Sequence, residues 1–256
     1  MCGIAGLISL GGSGIDPAAV KSMCDSMAHR GPDDAGYVCF SQQGGWTTYI
    51  DPQFRHTREN TAVYGDENYL KDRAESVFQC VLGHRRLAIL DPTTAGRQPM
   101  SFGDQRYWIV HNGEVYNFPE LRESLRTKGY SFRTGTDTEV LLKLWAEMGP
   151  ECLGLLNGMF AFAVYDRIAK RLTLARDRFG VKPLYYCLTP EHAVFASEVK
   201  GVLAAGIRHP AIDTNALIEY FTFQNIFSNR TLFEGVHVLP PGEYLTVDCG
   251  KDAILP

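Results

Sequence analysis

Cys2 carries the clearest chemical potential in the sequence, because of the residue in front of it. A small residue after the initiator methionine permits removal of Met1, which leaves a cysteine with a free α-amino group. That amine has a reference pKa of about 7.7–8.0 and the thiol one of about 8.5. A single residue then supplies both nucleophile and base near neutral pH, the amine taking the thiol proton through water. An internal cysteine cannot do this. On position alone, the competing reading is a small residue buried at the start of a strand.

The elements around Cys2 follow from patterning. Residues 3–9 form a short apolar run, a buried strand at the very start of the chain, and Gly11, Gly12 and Gly14 break it. Asp16-Pro17 opens a helix to about His29 that buries Val20, Met23, Cys24 and Met27. Strands are expected at 36–40, 77–83 and 107–111, then helices at 119–128 and 138–148. The second of these buries Val140, Leu141, Leu144 and Trp145 and ends at Gly149-Pro150. Residues 159–165 read as a strand buried on both faces. Further strands at 171–175, 184–187 and 193–196 precede helices at 198–205 and 215–221. A turn at Pro240-Pro241-Gly242 leads into a last short strand.

Two stretches fit no element. Residues 41–76 are polar and charged, and a loop of that length in a compact domain is functional, disordered or an insertion. Residues 249–256 read as a linker, which leaves 1–248 as the domain.

Bulk composition narrows the function classes. Apolar residues make up 45% and charged residues 21% of the 256, and the net charge is −4, so no electrostatic footprint for nucleic acid or an anionic membrane is present. The expected ligand is small. The seven cysteines are dispersed without a CxxC pair, which argues against both a disulfide framework and a zinc cluster. No secretory signal and no membrane-spanning apolar run is evident, and the expected location is the reducing cytoplasm.

Several motifs then fall in a common order. The opening Met1-Cys2-Gly3-Ile4-Ala5-Gly6 is followed by His29-Arg30-Gly31-Pro32-Asp33 and by Gly83-His84-Arg85-Arg86-Leu87-Ala88-Ile89-Leu90-Asp91. Next come His111-Asn112-Gly113-Glu114-Val115-Tyr116-Asn117 and Thr134-Gly135-Thr136-Asp137-Thr138-Glu139. Asp166, the run Ala175-Arg176-Asp177-Arg178-Phe179-Gly180-Val181-Lys182-Pro183-Leu184, Phe195-Ala196-Ser197-Glu198-Val199-Lys200 and Leu239-Pro240-Pro241-Gly242 complete the set. Together they resemble the class II glutamine amidotransferases, which use an N-terminal cysteine nucleophile, and within these the glutaminase half of the asparagine synthetase family. Amidotransferases acting on phosphoribosyl pyrophosphate or fructose 6-phosphate share the Cys-Gly-Ile opening without the later combination.

The resemblance implies an α+β fold, a four-layer α/β/β/α sandwich of two mostly antiparallel sheets, the N-terminal-nucleophile hydrolase fold. It also implies a reaction: hydrolysis of glutamine to glutamate and ammonia through a Cys2 γ-glutamyl thioester. Arg86 matches the arginine that grips the substrate α-carboxylate, for which a planar guanidinium is suited. Arg85, alternating with it, then faces the other way and reads as a surface residue. Glu114 and Asp137 match the contacts to the substrate α-ammonium; for Asp137, which precedes a helix, the competing reading is an N-cap. Asn112 and Gly113 match the oxyanion hole, and Asn-Gly is also a hairpin-turn signal. Arg30, Arg176, Asp177 and Lys182 read as supporting the architecture, and His84 and His111 as core or supporting imidazoles.

This half needs no metal or organic cofactor. In the family, a synthetase domain that uses ATP and Mg amidates a carboxylate with the ammonia, and no Ser-Gly-Gly-Leu-Asp-Ser phosphate loop for such a domain occurs here. The chain is therefore expected to be a piece of a longer glutamine-hydrolysing ligase or a glutaminase with its synthetase partner in trans; a homodimer is possible. The 41–76 insertion, roughly 30 residues beyond compact-domain connections, is expected to be peripheral, for partner contact or site access. A catalytically silent scaffold with the same fold is the rival reading.

Overall fold

The first strand, β1 (Gly3–Ser9), is buried along its whole length, and its two faces pack on different layers. Ile4 and Ile8 join a core that draws on residues of both sheets, including Val110, Ala161 and Leu174, so this core lies between the sheets. Ala5 and Leu7 join a second core with Val20 and Met23 of helix α1 (Pro17–Ser26). A strand whose neighbours alternate in this way is covered on both faces.

The computed structural model describes residues 1–57 and 77–249 and the short strand at 254–255. The strands are β2 (Asp34–Ser41), β3 (Trp46–Ile50), β4 (Phe78–Arg86), β5 (Met100–Ser101), β6 (Tyr107–Val115), β7 (Gly158–Asp166), β8 (Arg171–Arg176), β9 (Tyr185–Leu188), β10 (His192–Ala196), β11 (Val236–Val238), β12 (Tyr244–Asp248) and β13 (Ile254–Leu255). One sheet runs in the order β11-β9-β10-β1-β4-β2-β3 and the other β13-β12-β8-β7-β6-β5. Every strand pairing described within the two sheets is antiparallel.

Helices α1 and α4 (Val199–Ala204) cover the first sheet; α2 (Phe118–Thr127) and α3 (Asp137–Met148) cover the second through Val140, Leu144 and Trp145. A further helix, α5 (Thr214–Phe223), buries only Ala216. The order of layers is helix, sheet, sheet, helix, as the resemblance implied. Among the described residues no helix is long and apolar enough to cross a membrane.

The expected elements are present, with informative differences at their edges. Part of the 41–76 stretch is ordinary sheet: β3 pairs with β2 from Gly36↔Ile50 to Phe40↔Trp46. A 3-10 turn follows at Pro52–Thr57. Residues 58–76 of the expected insertion, and 250–253 and 256 of the expected linker, lie outside the described residues. Ile254 and Leu255 pair with Val247 and Thr246 where the sequence suggested no element.

The turn after β8 is organised by Asp177, as expected. Its fully buried carboxylate accepts from the Phe160 and Lys182 N–H groups through Oδ2 and from Phe179 and Val181 through Oδ1. Arg176 holds the same turn from outside, donating to the carbonyls of Lys182, Gly180 and Leu239. Replacing Asp177 by Ala strands buried amide donors, each costing about 1–3 kcal/mol when left without a partner. Urea unfolding of Asp177→Ala is expected to show a loss of at least about 3 kcal/mol.

Candidate active site

Cys2 is half-buried at the head of β1. The Arg30 guanidinium fixes the start of the strand, donating from Nε to the Cys2 carbonyl at 2.9 Å and from Nη1 to Glu198 Oε1 at 2.9 Å. Ser197 clamps the next turn of backbone, its Oγ accepting the Ile4 N–H and its N–H donating to the Ile4 carbonyl. The motifs His29–Asp33 and Phe195–Lys200 therefore hold the N-terminal strand, which is the supporting role expected of Arg30.

The Cys2 sulfur lies 3.4 Å from the Leu87 amide nitrogen, the donor, and 3.6 Å from the Leu87 carbonyl. Burial pushes the thiol pKa up; the Leu87 backbone, the chain amino terminus and Arg86 pull it back down, and Glu114 raises it again. The positive groups and the amide favour the thiolate against a dominant cost of desolvation.

Sheet parity decides which way the arginine pair points. On β4, Cys80 and Leu82 face the core between the sheets and Val81 faces α1, so Arg86 points inward with Cys2 and Arg85 points out. Arg85 is not a surface residue, however: only 4% of it is exposed. Asp51 and Phe54, just beyond β3, cover it, the carboxylate 3.8 Å from Nη1 and the ring 5.7 Å from the guanidinium carbon.

Arg86 is enclosed by the loop that follows it. It donates from Nη1 to the Thr93 carbonyl at 2.8 Å and from Nη2 to those of Leu90 and Asp91. A Cβ at Gly96 would stand 2.3 Å from Nη2, so a side chain there would push the guanidinium from this position. Asp91 also accepts the Gly135 N–H at 2.9 Å, which ties the Arg86 loop to the segment before Asp137.

On β6, Val110 faces the core between the sheets, and Asn112 and Glu114 share that face. The hairpin-turn reading of Asn112-Gly113 is overturned. Both lie inside the strand, opposite Ala161 and Phe160, and the pairing with β7 overrides the local turn preference. The Asn112 side chain is only 1% exposed, and its Nδ2 has no hydrogen-bond partner among the described residues.

Gly113 lies against the β7 backbone, where a Cβ would stand 2.3 Å from the Met159 carbonyl oxygen. Its own N–H points away from β7: Phe160, opposite it, turns both backbone groups toward Asp177. No acceptor for this N–H is found among the described residues. Two adjacent residues thus each bring to one cavity a donor with no partner found among the described residues.

Asp137 is the first residue of α3, and Thr136 caps the helix, accepting the Glu139 N–H. The N-cap alternative for Asp137 therefore falls. Its Oδ2 accepts the Val115 N–H at 2.8 Å instead. Glu114 is held above the usual carboxylate range by burial and then by the Asp137 charge, with Lys182 opposing.

Cys2, Arg86, Asn112, Gly113, Glu114 and Asp137 all line one cavity of about 230 Å³. A larger cavity of about 620 Å³ between Trp46, Phe102 and Lys143 contains none of them. Lys182 also lines the smaller cavity, and this was not legible in sequence. Asp177 and Arg176 grip its backbone, which leaves the side chain to point in, and its charge acts on Glu114 and His111.

His84 and His111 sit behind the site, fully or nearly buried. Desolvation pushes His84 down to about 3 and lowers His111, so both imidazoles stay neutral. His84 Nε2 lies 3.1 Å from the His111 carbonyl, a supporting position as expected.

Residues 66–254 match the glutamine amidotransferase domain family. The chain belongs to that family. The amidotransferase domain is similar to glutamine-hydrolysing asparagine synthetase 1 of Bacillus subtilis, 35% identical over 250 residues that cover 96% of this chain and 33% of that protein. It is also similar to asparagine synthetase 3 of Arabidopsis thaliana, 33% identical over 204 residues, 79% of this chain and 28% of that one. The chain spans about a third of the length of these curated relatives. Among solved structures, the glutamine phosphoribosylpyrophosphate amidotransferase of B. subtilis superposes with a TM-score of 0.67 over 96% of this chain and 47% of that one, at 22% identity. At that identity the likeness concerns the fold.

Proposed function

We propose that this amidotransferase domain hydrolyses glutamine through a γ-glutamyl thioester on Cys2 and delivers the ammonia to an ATP-dependent, asparagine synthetase-like domain or partner. The observation that carries the reading is Asn112 Nδ2, a buried donor with no partner among the described residues, together with the Gly113 N–H that β7 does not take up, in the same cavity as the Cys2 thiol. A buried donor without a partner is destabilising unless a ligand or transition state completes it. A side-chain and a backbone donor beside a nucleophile suit the oxygen of a tetrahedral intermediate.

The reaction balances without an added reagent. The α-amino group of Cys2, freed by loss of Met1, takes the thiol proton, and the sulfur attacks the glutamine side-chain carbonyl. The C–N bond breaks as the amine returns the proton, and ammonia leaves. Water then cleaves the thioester to glutamate and regenerates the thiol. No metal or organic cofactor enters this half; ATP and Mg belong to the synthetase reaction.

Charge placement supports glutamine as a free amino acid. Arg86 offers the N–H groups not engaged by Leu90, Asp91 and Thr93 to the α-carboxylate, and Glu114 and Asp137 face the α-ammonium. A pH dependence follows from Glu114, whose raised pKa means that it is protonated at a higher pH than an ordinary carboxylate. Protonation removes the charge that attracts the ammonium. The KM for glutamine is expected to rise as pH falls, beginning at a higher pH than an ordinary carboxylate would set, and Glu114→Gln should flatten that limb while raising KM throughout.

The reading is tested by incubating the protein with glutamine and measuring glutamate and ammonia in equal amounts. A folded, Met1-free protein that releases neither would favour the scaffold.

A further inference from the structure

We propose that Gln98 is a positioning residue for the Asn112–Gly113 donors: its side chain stands in for a missing strand along the edge of β6 and fixes the peptides that carry them. The proposal rests on the reading of those donors as an oxyanion site.

One edge of β6 is paired with β7 over its full length, Tyr107 to Val115. The other edge is paired with β5 only at Trp108 and Ile109, where the two-residue strand ends. The alternate amides beyond that point, on His111, Gly113 and Val115, project to a side where no strand continues. Buried amides without partners are costly, and an unpaired edge is free to twist.

Side chains complete this edge at two of the three positions. Gln98 Oε1 accepts the His111 N–H at 2.6 Å, and Asp137 Oδ2 accepts the Val115 N–H at 2.8 Å. The Gly113 N–H is left between them, bracketed two residues before and two residues after. The arrangement saturates its neighbours and keeps that donor open toward the cavity.

Gln98 is itself held in place. It is buried, and its Nε2 donates to Thr138 Oγ1 at 3.3 Å; that hydroxyl lies 3.1 Å from His111 Nδ1, which closes a ring of three side chains. The ring joins the segment that encloses Arg86, the strand that carries Asn112 and the first turn of the helix that carries Asp137. Loss of the Oε1 acceptor would let the His111 peptide rotate and carry Gly113 with it. Arg86 would keep its own loop contacts, so the effect should fall on turnover more than on substrate binding.

Gln98→Met has nearly the same shape and no acceptor; Gln98→Glu keeps an oxygen at the same place. The expected result is a kcat for Gln98→Met lower by about 10-fold or more with KM changed less than about 2-fold, and recovery of most of the loss in Gln98→Glu. Hydrogen exchange across Tyr107–Val115, read by mass spectrometry, should quicken in Gln98→Met and stay near wild type in Gln98→Glu. Wild-type kcat in Gln98→Met, equal losses in the two variants, or unchanged exchange would overturn the proposal. A wild-type protein that does not hydrolyse glutamine would instead overturn the functional reading, and the exchange measurement would still decide whether Gln98 holds the edge.

Discussion

Cys2→Ala is expected to reduce glutamine hydrolysis to background, a loss of at least about 1000-fold, with the fold intact. Intact-mass analysis after treatment with diazo-oxo-norleucine should show loss of Met1 and a single adduct in the wild type and none in the variant. The remaining thiols make this selective. Cys24, Cys39, Cys80, Cys152 and Cys187 are buried. Burial pushes Cys24 and Cys152 up to about 12 and Cys80 well above the usual thiol range. Cys249 is half-exposed, yet desolvation holds its thiol at about 12 as well. Only Cys2 combines partial access with a nearby amide donor, Arg86 and an amino terminus that favour the thiolate. An adduct on any other cysteine, or Met-free protein that stays unmodified, would contradict the assignment. Cys2→Ser separates charge from chemistry: it keeps the shape and a hydroxyl with a much higher pKa, so it should fold, bind glutamine and turn over very slowly.

Much of this site was legible because its parts obey local rules. Strand alternation alone sends Arg86 and Arg85 to opposite faces, and the structure keeps that assignment. The burial of Arg85 was not legible, since its cover comes from Asp51 and Phe54, brought over it by β3 in a stretch whose polar composition suggested no sheet. Asn112-Gly113 shows the converse limit. As a dipeptide it signals a turn, and only long-range pairing with Ala161 and Phe160 makes it strand. Lys182 and Gln98 escaped for the same reason. The side chain of Lys182 is aimed by a turn that Asp177 and Arg176 fix, and Gln98 matters because β5 stops short of His111. Neither fact leaves a periodic or compositional trace. Layer order likewise came from resemblance, because patterns of buried residues on each strand do not say which face meets a sheet and which a helix.

Asn112→Ala is expected to lower kcat by about 100- to 1000-fold with little change in KM, the signature of an interaction made in the transition state. Stability supplies the second half of the expectation. A buried side-chain amide that donates to nothing is a cost to the folded state, and its removal relieves that cost while leaving a small void. Thermal and urea midpoints for Asn112→Ala should therefore stay near those of the wild type, in contrast to Asp177→Ala, whose carboxylate satisfies backbone donors on both sides of its turn. Asn112→Asp sharpens the comparison. It preserves size but replaces the donor with an acceptor facing the developing negative charge, so its turnover should fall below that of the alanine variant. Two outcomes would sink the role: an Asn112→Ala enzyme of normal kcat, or one whose lost activity tracks lost folded protein. The pairing of lost turnover with retained stability is what distinguishes an oxyanion donor from a core amide, because a core amide holds the fold through partners and Asn112 Nδ2 has none among the described residues.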